Sequence, residues 1–152
     1  MNKSDLSNLV LSSIRDAIAS KPRRLFRAAM TDRRRRTGVY AVFGPAGNVY
    51  YVGKSSDIRA RLAEHCVEGG SLFGKLVAAD RWTRDQATTF ILYECTVLEV
   101  ALPRDTERVR AWELMVELLL EPRFRTNHWK QAFDIATETR VTRRSASRTT
   151  TA

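Results

Sequence analysis

Along the first twenty residues the apolar positions Leu6, Leu9, Val10, Ile14 and Ile18 recur at spacings of three and four, the stripe of an amphipathic helix. Pro22 suits the first turn of a second, basic helix running to about Met30, whose Leu25, Phe26 and Ala29 can dock while its arginines stay in water. "TDRRRRT" closes it as a charged linker. From Gly38 the period changes. "VYAVF" and "NVYYV" are β-branched and aromatic, and the turn-forming "GPAG" between them predicts a hairpin. "SSD" caps a helix from about Asp57 to Val67, which "EGG" ends. A short helix follows over Ser71–Ala79, then a polar loop, a β-rich run "ATTFILYECTVLEV", and a capped helix from about Asp105 to Leu120 stopped by Pro122. A last helix is expected over 127–139. The tail "RVTRRSASRTTTA" has almost no apolar residues and is expected to be disordered.

These elements predict an α+β fold: a small antiparallel sheet of about three strands flanked by helices. We divide the chain into a basic helical extension (1–37), a compact domain (38–139) and a basic tail (140–152). A length of 152 residues with 43% hydrophobic positions suits one domain with a real core. No apolar run approaches the roughly 20 residues of a membrane helix, and "MNKSDLSNLV" lacks the order of a signal peptide. The expected location is cytoplasmic. Cys66 and Cys95 lack metal-ligand spacing and read as reduced core residues.

Charge narrows the partners. The net charge is +9, and 21 of the 26 basic residues are arginine, whose planar fork suits phosphate oxygens. Eight basic residues between Lys21 and Arg36, including the run Arg33, Arg34, Arg35 and Arg36, face a single Asp32. Such blocks are an electrostatic footprint for nucleic acid, although a solvated face has the same composition.

The hairpin carries unusual polar chemistry, and its register decides what that chemistry can do. A five-residue loop pairs Phe43 with Val49 and puts Tyr40 and Tyr51 on opposite faces. A four-residue loop, pairing Phe43 with Asn48, sets them opposite each other on one face. A joint site needs the second register or a bulge. On the following helix Arg61 and His65 are four apart and share a side with Ile58. Gly53 permits close approach of the backbone to a ligand, and Lys54 stands beside the start of that helix. On the late helix Glu113 falls at the edge of the apolar stripe formed by Val109, Trp112, Val116, Leu119 and Leu120, with Glu117 further towards solvent. A half-buried Glu113 needs a partner, either an arginine or a metal ion.

Taken in order, "GVY" at 38–40, "YVG" at 51–53, Arg61, His65, Glu113 and "PRFRTN" at 122–127 resemble the GIY-YIG nuclease superfamily. The family's asparagine follows closely on a proline and an aromatic; here "RT" intervenes after Phe124, so Asn127 is a looser match. The resemblance implies a metal-dependent endonuclease acting on DNA, duplex or single-stranded. Glu113 would be the protein ligand of one Mg²⁺ (or Mn²⁺) per site. Tyr40 would position or deprotonate the attacking water, and Tyr51 would orient the phosphate or the water. Arg61 would stabilise charge on the phosphoryl oxygens. His65 would share a proton with Tyr40 or hold the phosphate. Lys54, Asn127 and Arg33 to Arg36 would contact phosphate and nucleic acid. A homodimer would let two sites cut both strands. The competing reading is a non-cleaving nucleic-acid-binding module on the same fold.

Overall fold

The computed structural model describes residues 2–67 and 69–125; the expected helix over 127–139, the tail and Asn127 lie outside them. The first helix, α1 (Lys3–Ala19), opens on a capping box in which Asn2 and Asp5 satisfy each other's backbone amides. Only Ile18 of α1 is buried.

The chain then departs from the sequence reading. Pro22 begins no helix. Instead Arg24–Leu25 form a two-residue strand, β1, and the helix α2 starts later, spanning Phe26–Thr31. The reason is tertiary. Pairing with the last strand captures the backbone at 24–25 and turns Phe26 and Ala29 wholly into the core. Full burial of a phenylalanine is worth about 1.5–3 kcal/mol, more than the local helix propensity of two residues.

The hairpin comprises β2 (Gly38–Phe43) and β3 (Val49–Ser55). Next come α3 (Ile58–His65), capped by the Asp57 carboxylate, and α4 (Ser71–Asp80). The run expected to be extended from Ala87 is mostly helical: α5 (Arg84–Thr89) leads directly into a π-helical segment, Phe90–Glu94. Only Thr96–Ala101 forms the strand β4. A Thr83–Gln86 capping box starts α5, and burying Ala87, Phe90 and Ile91 on the helical layer outweighs their β-propensity. Helix α6 (Thr106–Leu120) has Asp105 as its N-cap and ends at Glu121 in the left-handed region just before Pro122.

Among the described residues the sheet has four antiparallel strands, rather than about three, in the order β1-β4-β2-β3. Strand alternation splits the core in two. Tyr40, Val42, Tyr51 and Val97 face α2, α3, α4 and α5. Val39, Ala41, Phe43, Val52, Leu98 and Val100 face Ile18 of α1 with Val109 and Val116 of α6. Gly38 sits at φ 152°, and a Cβ there would lie 1.9 Å from the Val100 carbonyl oxygen, so β2 and β4 close up only around glycine. After α6 the chain returns to the free edge of β3, where the Arg123 and Phe124 amides donate to the Val49 and Tyr50 carbonyls.

Candidate active site

The hairpin adopts neither of the two plain registers. Its loop is the five-residue one, with Phe43 opposite Val49, but Val42 is opposite Tyr51 and Tyr40 opposite Gly53. Tyr50 is the extra residue of a β-bulge, which shifts every later side chain of β3 to the other face. The bulge therefore brings Tyr40 and Tyr51 onto one side of the sheet, diagonal neighbours with ring centroids 6.3 Å apart. Gly53 completes the arrangement. A Cβ there would lie 2.5 Å from the Tyr40 hydroxyl and 2.9 Å from Cε1 of Tyr51, so the missing side chain is the space that the Tyr40 phenol fills.

Helix α3 lies over this pair. Ile58, Leu62 and His65 are fully buried, and Arg61 sits at the rim. The His65 ring is 5.7 Å from that of Tyr40 and 4.6 Å from that of Tyr51. Its Nε2 is 2.6 Å from the Tyr40 hydroxyl, while its Nδ1 accepts a 3.2 Å hydrogen bond from the backbone amide of Leu72. A backbone N–H can only donate, so Nδ1 carries no proton. The neutral ring must then carry its proton on Nε2 and donate it to the Tyr40 oxygen. Burial, reinforced by the charges of Arg61 and Lys75, holds the His65 pKa down to about 3, so the ring is neutral at ordinary pH. His65 is thus a fixed donor to Tyr40, and not a base awaiting its proton.

Tyr40 itself is wholly buried. That burial, with Tyr51 beside it, raises its pKa well above the usual value, against the opposing charge of Arg61. The Arg61 guanidinium acts on both tyrosine hydroxyls and is held by the Glu64 carboxylate at 2.6 Å and the Ser71 hydroxyl at 3.2 Å. It is the cation aimed at Tyr40. Lys54 acts elsewhere: one residue past Gly53, it falls on the opposite face of β3, and its charge works on Glu113.

Glu113, 6% exposed, has its pKa raised chiefly by burial and by Glu117, and opposed by Lys54, Arg110 and Arg61. The Glu113 charge in turn reaches Tyr40, so the α6 carboxylate lies within electrostatic reach of that hydroxyl. A carboxylate held in a field of three cations is a donor suited to Mg²⁺, which takes one or two carboxylates and completes its shell with water and phosphate oxygens. Among the described residues no cluster of three or more His, Cys, Asp or Glu side chains competes with it.

Two members of this neighbourhood escaped the sequence reading. Glu117 was expected nearer solvent than Glu113, yet it is 1% exposed and the more deeply buried of the two. α6 turns the Glu113–Glu117 edge inward because Val109 and Val116 dock on the sheet beside it. Lys75, from α4, has its Nζ 5.6 Å from the Tyr51 ring centroid and donates to the Arg125 carbonyl at 3.2 Å. Burial lowers its pKa, and Glu117 opposes that. The available signals were a second glutamate one turn after Glu113 and a lone cation inside the apolar "SLFGKLVAA".

The arginine run divides. Arg36 turns inward: its Nε donates to Glu99 at 2.8 Å, and its two terminal nitrogens reach the Ala29, Asp32 and Arg34 carbonyls at 2.7–3.0 Å. Arg34 donates to the Asp32 carboxylate, which its charge and that of Arg24 hold far below the usual range. Arg33 and Arg35 are exposed. Cys66 and Cys95 are free, and burial pushes both thiols up to about 12.

Residues 36–99 match the family model described as the GIY-YIG catalytic domain. The matched span holds both tyrosines, Arg61, His65 and Lys75, and stops before α6 with Glu113 and Glu117. No curated protein and no solved structure matches the chain.

Proposed function

With a GIY-YIG catalytic domain at residues 36–99, the chain is a member of the GIY-YIG nuclease superfamily, and from that premise we propose that it is a metal-dependent endonuclease hydrolysing DNA phosphodiester bonds. One observation carries the reading: two buried tyrosines of adjacent strands stand with ring centroids 6.3 Å apart, the Arg61 guanidinium acts on both, and the charge of the buried Glu113 carboxylate reaches Tyr40.

In this reading Arg61 binds the scissile phosphate and stabilises the charge that develops on its oxygens, for which a rigid fork is well shaped. Tyr51 orients the phosphate. Tyr40 holds the attacking water and, once ionised, takes its proton. His65 steadies the Tyr40 oxygen through its Nε2–H, which stabilises the phenolate without itself moving a proton. Glu113 would hold one Mg²⁺ or Mn²⁺, with Lys54 keeping the carboxylate ionised. When bound, such an ion supplies electrophilic charge at the phosphate oxygens and leaving group. Arg33 and Arg35 contribute exposed charge for the DNA backbone. With one site per chain, cutting both strands of a duplex calls for a homodimer or two successive nicks.

The test is incubation of the purified protein and its Glu113→Ala variant with supercoiled plasmid, linear duplex, single-stranded DNA and RNA, with and without Mg²⁺. Metal-dependent cutting of DNA, lower in the variant by about 10²–10³-fold or more, is expected. No cutting with any divalent metal, alongside retained salt-sensitive binding, would instead make the protein a binding module on a nuclease fold.

A further inference from the structure

A cavity of about 550 Å³ opens between the turn that joins β3 to α3 and the first turn of α6. Lys54 and Arg104 line it, and neither is engaged in an ion pair or hydrogen bond among the described residues. The Ser56 and Thr106 side chains line it as well. Among the described residues the one carboxylate on its wall, Asp105, accepts the Arg108 backbone amide at 3.2 Å as the cap of α6. Arg104 supplies the cavity's positive charge for a phosphodiester, while Lys54 faces Glu113 as well. Among the described residues no aromatic side chain lines the cavity, so they offer nothing on which to stack a base, and their chemistry suits backbone rather than sequence.

One residue ties the cavity to the candidate active site. Lys54 is shared, acting on Glu113 and lining the cavity. Val109, on the cavity wall, is one helical turn before Glu113 on α6. A strand with its scissile phosphate between Arg61 and Glu113 has a polar, cationic exit past Lys54.

We propose that this groove is a second phosphate subsite, in which Arg104 and Lys54 bind a backbone phosphate of the DNA strand flanking the scissile bond. The proposal rests on the endonuclease reading and extends it to a residue outside the matched domain. Arg104 is a binding residue here and takes no part in the chemistry.

The experiment measures binding of a labelled DNA oligonucleotide in EDTA, across a range of salt, by wild type, Arg104→Ser, Arg104→Lys and Arg104→Glu, each with its melting temperature. Arg104 is exposed, so all four are expected to melt alike. For Arg104→Ser the expected result is an affinity about 3–10-fold weaker, with the slope of log K against log salt reduced by roughly 0.7–0.9, the signature of one lost phosphate contact. Arg104→Lys restores the slope, and Arg104→Glu binds more weakly than the serine variant. A serine variant with the wild-type slope overturns the subsite and leaves the nuclease reading standing. A wild-type protein without salt-dependent DNA binding overturns both.

Discussion

The Tyr40 hydroxyl and His65 Nε2 are 2.6 Å apart, and the direction of that hydrogen bond is decided on the far side of the imidazole, where the Leu72 amide donates to Nδ1. A helix N-terminal residue thereby sets the tautomer of a buried histidine and makes it a donor to a buried phenol. The consequence is a Tyr40 oxygen that faces a donor whether or not it is ionised.

His65 should leave a mark on acid stability. Its folded pKa of about 3 lies below the ordinary value of 6.5, so between these pH values the unfolded chain binds the extra proton. Stability contributed in this way is complete above about pH 6.5 and is lost as pH falls towards 3, at up to about 1.4 kcal/mol per pH unit. His65→Gln keeps an N–H donor without a titrating ring. Denaturant unfolding from pH 7 to 4 should show a shallower acid loss in this variant than in wild type; parallel curves would contradict a neutral buried histidine.

The pH–rate profile should report Tyr40 and not His65. Because burial raises the Tyr40 pKa well above 10 in the absence of bound groups, only a small fraction is phenolate at neutral pH. The rate should climb close to tenfold per pH unit through neutrality. An inflection near pH 6–7 that disappears in His65→Gln would reassign the proton to the histidine.

Gly53→Ala tests the space reserved for the phenol. The new Cβ would meet the Tyr40 hydroxyl at 2.5 Å and Cζ at 2.6 Å, so the ring must move and its 2.6 Å hydrogen bond with His65 is disturbed. We expect a stability loss of about 1–3 kcal/mol from overpacking, and cleavage reduced by about 10²-fold, the scale of a misplacement near 1 Å. Near-normal cleavage in a folded variant would show that the hydroxyl position is not critical.

The arginine run should split by assay. Arg36→Ala removes the Arg36–Glu99 ion pair and three carbonyl contacts and should cost about 1–3 kcal/mol, because Glu99 keeps only its 3.5 Å contact with Arg24 and the carbonyls lose their donor. Arg33→Ser with Arg35→Ser removes only exposed charge. That double variant should melt like wild type within about 0.5 kcal/mol and lower the salt dependence of DNA binding. Urea titrations and salt titrations on the same proteins separate the two effects.

Much of this molecule was readable from local pattern. The hairpin, the capped α3 and α6, the pairing of Arg61 with His65 on one helix and the placing of Glu113 at a buried edge all follow from period, caps and turn residues, because those are interactions within about four residues. They carried the family resemblance as well.

What tertiary structure decided depends on partners distant in the chain. The pull of β4 on residues 24–25 replaced the start of a helix with a strand. The bulge at Tyr50, which puts both tyrosines on one face, lies within the β2–β3 pairing and does not follow from the loop length alone. Arg36 turns inward because Glu99, 63 residues away, holds it. Glu117 and Lys75 joined the neighbourhood of the site because α6 and α4 pack there from opposite faces of the sheet. The His65 proton was assigned by one backbone amide seven residues on. Sequence determines which groups are available and which local element carries each; burial and long-range pairing determine which of them meet, and in what protonation state.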